Sequence, residues 1–236
     1  MIRGLYTSLS AIMAAMTRQS VVADNLANLN TPGFHQSRTA NADFGLELGS
    51  AIAGPIGHLG TATLPVGLSL DRSQGPLEQT GAASDLAIEG AGLFVVRTPE
   101  GIAYTRAGAF TLSSTGGLTT QEGYPVLDTT GAPVVSRGAL VVGPDGSLAG
   151  GGQRLAVVDW PAGEPVRLGH GLLAVAGPAR PGSGLVRQGV LERSNVDVAT
   201  TMTELMTIQR HFSLSSRALS LQEETLGDAA QVGRVR

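Results

Sequence analysis

Apolar residues recur at alternating steps of three and four at both ends of the chain. A repeat of 3.5 residues places these side chains along one side of a helix, forming a seam that packs against another helix. The pattern therefore predicts two terminal helices that pair with each other or with copies of themselves. The N-terminal seam comprises Ile2, Leu5, Leu9, Ile12, Met16, Gln19, Ala23 and Leu26. The C-terminal seam comprises Val198, Thr201, Leu205, Ile208, Phe212, Ser215, Leu219, Gln222 and Leu226.

The boundaries of both helices are marked in the sequence. The first helix is predicted over about residues 2–29, because residues 28–33 contain two asparagines, a proline and a glycine. Proline lacks an amide donor, and asparagine and glycine tolerate a left-handed turn. The second helix is predicted to start at residues 194–197 and to run to about Leu226. Ser194 is expected to accept a hydrogen bond from the Asp197 amide, and the Asp197 carboxylate favours the positive end of the helix.

The outer face of the first helix carries few charges. Along its length the charged residues are Arg3, Arg18 and Asp24. A helix exposed to solvent usually carries more glutamate and lysine, so this helix is expected to contact protein on several sides. The alternative is an ordinary core helix of one globular domain.

The middle of the chain follows a β pattern. Short apolar runs separated by glycine-containing turns, at spacings of about 8–12 residues, are typical of an antiparallel β domain. We predict such a domain over residues 76–193. Its candidate strands lie at 86–88, 93–98, 102–106, 109–113, 118–120, 134–135, 140–142 and 155–160.

Residues 35–75 are rich in glycine and proline, which forbids a long helix, although short strands are expected around 61–64 and 66–70. This segment is interpreted as an extended connector that pairs in part with the following domain. The predicted fold class is α+β. A discontinuous helical coiled-coil domain (residues 1–34 with 194–236) is expected around a central antiparallel all-β domain.

Composition narrows the possible functions. Charged residues make up 15% of the 236 residues, against a usual quarter, and 33 residues are glycine. This balance fits short strands, tight turns and surfaces that neighbouring molecules cover. The net charge of −3 provides no basic surface for nucleic acid. The absence of cysteine excludes disulfides, thiolate zinc sites and cysteine nucleophiles.

Residues 4–16 resemble a signal peptide in their apolar character. Thr7, Ser8 and Ser10 interrupt the run, no Ala-x-Ala site follows closely, and the heptad continues to Leu26. We therefore expect a protein that leaves the cytoplasm by a route without a cleaved leader. No stretch reaches the roughly 20 apolar residues needed to span a bilayer.

A search for catalytic chemistry finds no convincing motif. The histidines His35, His58, His170 and His211 are never at metal-ligand spacing from one another or from a carboxylate pair. The Gly90-Ala91-Gly92 run lacks the third glycine of a dinucleotide loop, and a strand follows where a helix should. The sequence predicts no catalytic residue, no cofactor, no metal site and no small-molecule substrate.

Four stretches of the chain resemble the axial proteins of the bacterial flagellum, namely rod and hook subunits of the FlgF and FlgG type. The N-terminal stretch includes Asn25-Leu26-Ala27-Asn28, Thr31, Gly33 and Phe34. The second runs from Ser73-Gln74-Gly75-Pro76-Leu77-Glu78 through Asp85–Gly90 to Gly92–Val96. The third comprises Tyr104-Thr105-Arg106-Ala107-Gly108-Ala109-Phe110 with Gly123–Leu127. The fourth comprises Leu191-Glu192-Arg193-Ser194-Asn195-Val196 with Gln209, Arg210 and Phe212.

The resemblance implies a structural, non-enzymatic subunit that polymerises helically into the flagellar basal-body rod and transmits torque towards the hook. Its implied partners are copies of itself, other rod and hook subunits and the flagellar export apparatus, with ring proteins around the rod as further candidates. The terminal helices would form the inner tube. The residues expected at the assembly interface are Leu5, Leu9, Ile12, Met16, Leu26, Leu205, Ile208, Phe212, Leu219 and Leu226.

Two features depart from the distal-rod pattern. The segment after Phe34 lacks a longer acidic and aromatic stretch, and His211-Phe212 stands where Ala-Tyr is commoner. With the short length, these features favour the proximal, FlgF-type subunit. The alternative functions are a secreted cell-wall-modifying enzyme, which needs a convergent His/Asp/Glu pocket, and an adhesin with a coiled-coil stalk, which normally needs a cleaved signal peptide.

Overall fold

The computed structural model describes residues 2–43, 63–136, 138–149, 152–160, 165–175 and 180–232. Two long helices lie near the two ends of this part of the chain, with antiparallel strands between them, which confirms the α+β class. The helices are α1 (Ile2–Ala27) and α2 (Val198–Val232). The strands are β1 (Ser37–Asp43), β2 (Thr63–Leu70), β3 (Leu77–Gln79), β4 (Leu86–Glu89), β5 (Leu93–Thr98), β6 (Gly101–Thr105), β7 (Thr111–Leu112), β8 (Leu118–Thr119), β9 (Val157–Val158), β10 (Val166–Gly169), β11 (Leu172–Ala174), β12 (Leu185–Gln188) and β13 (Val190–Glu192).

The chain divides into two compact units. The helical unit comprises Met1–Ala27, Ser37–Ser69 and Asp197–Arg236, and the β unit comprises Asn28–Gln36 and Leu70–Val196. Both units are therefore built from segments that are distant in sequence. The domain boundaries predicted from the sequence, at residues 34, 75 and 193, stay a prediction.

The helical unit is held together by α1, α2 and a two-stranded ribbon. Its apolar cluster contains Ala15, Val22 and Ile208, with Leu205 and Phe212 packed against it. Strands β1 and β2 pair with each other to form the ribbon. Residues 44–62 of the predicted connector, with His58, fall outside the described residues.

The start of α2 differs from the prediction. Asp197, rather than Ser194, caps the helix: its carboxylate accepts hydrogen bonds from the amides of Ala199 (3.3 Å) and Thr200 (3.2 Å). The hydroxyl of Ser194 accepts the Val196 amide instead. Hydrogen bonds from the side chain and amide of Thr200 lower the pKa of Asp197 below its usual value, so the cap keeps its charge in mild acid.

The β unit is built on a five-stranded antiparallel sheet with strand order β10-β11-β6-β5-β9. Strand β5, predicted at residues 93–98, is buried on both faces. Phe94 and Val96 enter one apolar cluster, and Leu93 and Val95 enter another. Alternating side chains point to opposite faces of a strand, so a strand buried on both faces reads as a continuous apolar run.

Several predicted strands are shorter than expected. In the described part of the chain, Val134–Val135 and Leu140–Val142 contribute isolated bridges rather than strands. Turns interrupt them every few residues; one is closed by Asp128, whose carboxylate accepts the amides of Thr130 and Ala132. The region between β8 and β9 is thus a series of turns over the sheet, with apolar side chains still entering the core.

Candidate assembly surfaces and a buried polar cluster

The inner face of the helix pair is narrow and uses small residues on α1. Ala15 and Val22 contact the group formed by Leu205, Ile208 and Phe212 of α2. Three of these positions, Leu205, Ile208 and Phe212, belong to the predicted C-terminal seam. On α1 the buried positions lie one residue before Met16 and Ala23 of the predicted seam, so the face turned to α2 is offset from the predicted one.

The predicted interface residues divide between inner and outer positions. Ile208 is 3% exposed, whereas Leu9 is 43% and Met16 58% exposed. Ile12, Leu26, Leu205, Phe212 and Leu219 are half-buried. Leu5 and Leu226 belong to α1 and α2, but their side chains lie outside the described set. The role of these residues in assembly stays a prediction.

Each helix carries a second apolar face turned away from the inner one. On α1 it consists of Leu9, Met13 and Met16, and on α2 of Met202, Met206, Leu214 and Leu221, all exposed. We call these the outer stripes. At about 100° per residue, Met13 lies about 200° from Ala15, and Met206 lies as far from Ile208. Both helices are therefore apolar on two opposite sides.

The outer stripe of α2 borders a shallow groove. Its lining residues are Met206, Gln209, Arg210, Ser213, Leu214 and Arg217. Methionine is flexible and polarisable, so it adapts to an apolar partner surface, and the two arginines keep their aliphatic stems beside it. The outer stripe of α2 therefore exposes apolar surface to water along this groove.

Asn25 connects α1 to the ribbon inside the helical unit. Its side chain is buried; its Nδ2 donates to the Ser37 carbonyl (2.8 Å) and its Oδ1 accepts the Ser37 amide (2.9 Å). The amide thus satisfies both backbone groups of Ser37 at the start of β1. This residue belongs to the first stretch that resembles the flagellar proteins, and its structural role could not be read from the sequence.

The β unit contains a buried ion pair between Arg106 and Glu192. The Arg106 Nε lies 2.5 Å from Glu192 Oε2, and both side chains are almost fully buried. The remaining guanidinium nitrogens donate to the carbonyls of Gly92 (2.5 Å), Ile88 (2.7 Å) and Gly90 (2.8 Å). Arginine can satisfy several acceptors at once because its donors form a rigid fork.

Glu192 is equally well satisfied. Its Oε1 accepts the Gly75 amide at 2.9 Å, and its backbone carbonyl accepts the Gly33 amide at 2.8 Å. A Cβ atom on Gly75 would lie 2.0 Å from the Arg193 carbonyl oxygen, and one on Gly33 would lie 2.4 Å from the Arg106 carbonyl carbon. The backbone segments therefore approach so closely that glycine is required. We call Arg106, Glu192, Gly75 and the adjacent His35 the Arg106 cluster.

Asn195 completes the connections of the segment that follows α1. Its Oδ1 accepts the Gln36 amide (2.7 Å), and its Nδ2 donates to the carbonyls of Ser73 (2.9 Å) and Asp71 (3.1 Å). Its backbone amide donates to the Phe34 carbonyl at 3.2 Å. One side chain therefore joins three separate parts of the β unit.

Sequence reasoning noticed these residues only through the family resemblance. A signal was available, since in a chain with few charges Arg106 directly follows strand β6 and Glu192 ends strand β13. Their pairing across 86 residues could not be predicted without the topology of the sheet. Among the described residues, no group of three or more His, Asp or Glu side chains that could hold a metal ion is found.

Neither described helix is long and apolar enough to cross a membrane.

Three family models match the chain. The model described as flagella basal body rod protein matches residues 5–35. That of the flagellar hook protein FlgE/F/G D1 domain matches residues 87–149, and that of the flagellar basal body rod FlgEFG protein C-terminal matches residues 187–232. The three matches include the outer stripe of α1, strand β5 with Arg106, and Glu192 with the whole of α2.

Full-length relatives support the same assignment. The flagellar basal-body rod protein FlgG of Bacillus subtilis is 32% identical over 265 residues, covering 99% of this chain and 100% of the relative. The flagellar basal-body rod protein FlgF of Rhizobium meliloti is 35% identical over 240 residues, covering 97% and 96%. FlgG of Borreliella burgdorferi is 28% identical over 271 residues, covering 99% and 100%.

Proposed function

Because this chain belongs to the flagellar basal-body rod family of the FlgF/FlgG type, we propose that it polymerises through the outer stripes of its two terminal helices into a helical rod that transmits torque. The single observation that carries this proposal is the second apolar face on both helices. The inner face already packs α1 and α2 against each other. The outer stripes thus remain for contacts with other molecules.

The occupant proposed for each outer stripe is a helix of another copy of the chain. Leu9 and Met16 of α1 and Met206 and Leu214 of α2 are exposed apolar residues on long helices, which suits helix-to-helix packing. Because the stripes of α1 and α2 differ, a contact between them joins unlike patches. Such head-to-tail contacts give open helical filaments rather than closed dimers.

Within this proposal the predicted interface residues have two roles. Leu9 and Met16 contact a neighbouring subunit, whereas Leu205, Ile208 and Phe212 hold the helix pair together within the subunit. The half-buried Ile12, Leu26 and Leu219, together with Leu5 and Leu226, are assigned to the same assembly surfaces. The partners are other copies and other rod or hook subunits, supplied through the flagellar export apparatus without a cleaved signal peptide, with ring proteins as further candidates.

A proximal position in the basal-body rod, and the absence of enzymatic activity, are also part of the proposal. The alignment with the FlgF relative of Rhizobium meliloti extends over 240 residues, whereas that with FlgG of Bacillus subtilis extends over 265. The alignment of this 236-residue chain with the FlgF protein is therefore shorter and contains fewer gap positions than its alignment with the FlgG protein. This supports a FlgF-type subunit.

The test changes the outer stripe without touching the inner face. Leu9→Asp combined with Met16→Asp places two carboxylates where burial without a partner is costly. We expect this variant to keep the wild-type melting temperature and to fail to form large assemblies at high concentration, measured by light scattering and electron microscopy. In a bacterium that lacks its own copy of the gene, the variant should also fail to restore swimming in soft agar.

The matched control is Ile102→Asp in the β unit. Ile102 is 59% exposed, close to the 58% of Met16, and the charge change per site is the same. The control should assemble like the wild type. If the helix variant assembles normally, or if the control loses assembly to the same degree, the outer stripes are not the assembly surface. A single dimer whose size is independent of concentration would contradict the rod proposal as a whole.

A further inference from the structure

The side chain of His35 is buried with one nitrogen satisfied and the other not. Its Nδ1 lies 2.9 Å from the Asp71 carbonyl oxygen, which can only accept, so the neutral ring carries its proton on Nδ1. Its Nε2 has no hydrogen-bond partner among the described residues. Glu192 Oε1 lies 3.8 Å from Nε2, which is too far for a hydrogen bond.

The carboxylate that faces His35 is already fully engaged. Glu192 Oε1 accepts the Gly75 amide, and Oε2 accepts Arg106 Nε. A proton on His35 Nε2 would therefore bring a second cation to a carboxylate that already pairs with Arg106. Closing the 3.8 Å gap would require Glu192 or the ring to move. Leaving the gap open would keep a charged ring out of water without a direct partner, which is unfavourable.

The same histidine lies within the segment that follows α1, residues 28–36. This segment is attached to the rest of the β unit through its backbone: the Gly33 amide donates to Glu192, the Phe34 carbonyl accepts the Asn195 amide, and the Gln36 carbonyl accepts the Asp71 amide. The Arg167 guanidinium donates to the His35 carbonyl. A change at His35 thus acts on an attachment made of these hydrogen bonds and two buried rings, the imidazole and Phe34, over which the Arg167 guanidinium lies.

We propose that His35 is an acid-sensitive latch: protonation of its Nε2 releases residues 28–36 from the β unit. In the closed form the ring is neutral, and in the open form it reaches water and takes up the proton. The charged groups that surround the ring come from four parts of the β unit, namely Glu192 on β13, Arg106 after β6, Asp71 and Arg72 after β2, and Arg167 on β10.

The direction of the pH effect follows from burial. Burial lowers the pKa of His35 below 6.5, and Arg106 lowers it further, although the Asp71 carbonyl and the Glu192 carboxylate act in the opposite direction. The open form, with an ordinary histidine pKa of 6.5, binds the proton more tightly than the closed form. The latch is therefore fully closed above pH 6.5, and its closed form loses stability as the pH falls towards the pKa of the closed form.

The experiment measures hydrogen exchange and histidine titration by NMR on the full chain between pH 7.5 and 5. In the wild type, the protection factor of the Gly33 amide, corrected for intrinsic exchange, should be constant above pH 6.5 and fall by up to about tenfold per pH unit below it. The amide of Val96 in the core of the sheet should keep its protection. The imidazole of His35 should titrate below 6.5 and carry its neutral proton on Nδ1.

The variant His35→Asn keeps a donor near the position of Nδ1 but cannot titrate. Its Gly33 amide should show no pH dependence beyond the intrinsic rate, whereas the control His170→Asn, at an exposed histidine of the same unit, should behave like the wild type. Trp160 is the single tryptophan of the chain and lies edge-on to His35 at 5.3 Å, so its fluorescence should show the same transition in the wild type and lose it in His35→Asn.

Three results would overturn the latch. The first is a pH-independent Gly33 protection factor in the wild type. The second is a titration of His35 at or above 6.5 in the folded protein. The third is an acid-induced opening of equal size in His35→Asn, which would assign the opening to other groups. The first two depend on the wild type alone, so they decide the question even if the variant does not fold.

Discussion

The two units of this chain stabilise themselves in different ways. In the β unit, Phe94, Leu86 and Val96 are completely buried, and Arg106 and Glu192 satisfy each other and the backbone around them. In the helical unit, two long helices share an inner cluster of five side chains, while Met13, Met16, Met206 and Leu214 remain exposed. The β unit buries its apolar surface within the chain, and the helical unit leaves much of its own uncovered.

This difference separates folding from assembly. A helix in water gains most of its stability from packing its apolar face, not from intrinsic propensity. The inner cluster covers one face of each helix. In the proposed assembly, neighbouring subunits would stabilise the helical unit further by covering the outer stripes. The β unit needs no such help, and substitutions in the two units should therefore affect different measurements.

The largest effect is expected from breaking the buried ion pair of the β unit. Arg106→Met leaves the Glu192 carboxylate buried without its partner and removes the donors to Ile88, Gly90 and Gly92. Loss of one member of a buried pair typically costs about 3–5 kcal/mol. We expect a loss of this size in the free energy of unfolding of the β unit, measured by chemical denaturation.

Two further variants sharpen this prediction. Arg106→Met combined with Glu192→Leu should cost less than the sum of the single changes, because no unpaired charge remains. Arg187→Met breaks an exposed ion pair with Glu89 and should change stability by less than about 1 kcal/mol. If Arg106→Met costs no more than Arg187→Met, the buried pair does not hold the β unit together.

The second effect is smaller and confined to the helical unit. Ile208→Ala removes part of the inner cluster, and we expect a loss of about 2 kcal/mol, at the low end for buried aliphatic residues because the cluster is small. That loss corresponds to an about thirtyfold faster exchange of protected amides such as that of Val22. Exchange in strand β5 should be unchanged.

Met16→Ala is the matched comparison on the outer stripe. In the dilute protein it should leave the exchange of Val22 within about twofold of the wild type, because the side chain of Met16 already contacts water and surface truncations cost little. Equal effects of Ile208→Ala and Met16→Ala would mean that the inner and outer faces are not distinct, and the division between folding and assembly would fail.

The helices illustrate what the heptad pattern can predict. The existence of both helices and the pairing role of Ile208 and Phe212 followed from apolar periodicity. On α1 the cluster that packs against α2 uses Ala15 and Val22, although Leu9 and Met16 are larger. Periodicity identifies the apolar side of a helix, but a helix with two apolar sides does not reveal which one faces the neighbouring helix in its own chain.

The Arg106 cluster and Asn195 illustrate what local patterns cannot predict. Strand β5 was predictable from its apolar run. The position of the Asp197 carboxylate at the start of α2 was predictable from its place just before that helix. The contacts of Arg106 with Glu192 and of Asn195 with Ser73 join segments more than 80 residues apart, and no local spacing encodes them. Their roles follow only from the order of the strands, which the sequence alone left open.

The smallest effect is expected from the ion pair between the two helices. Arg18 Nη2 lies 3.2 Å from Glu204 Oε1, with the side chains 40% and 36% exposed. At this exposure water and salt screen the attraction, and pairs of this kind contribute about 0.2–1 kcal/mol. A double-mutant cycle of Arg18→Met and Glu204→Met, read by exchange of the Val22 amide, should give a coupling energy within that range.

The coupling should weaken further when the salt concentration rises from low to about 1 M, where the screening length falls to about 3 Å. A coupling above about 2 kcal/mol that salt leaves unchanged would show that charge, and not the apolar cluster around Ile208, holds α1 against α2.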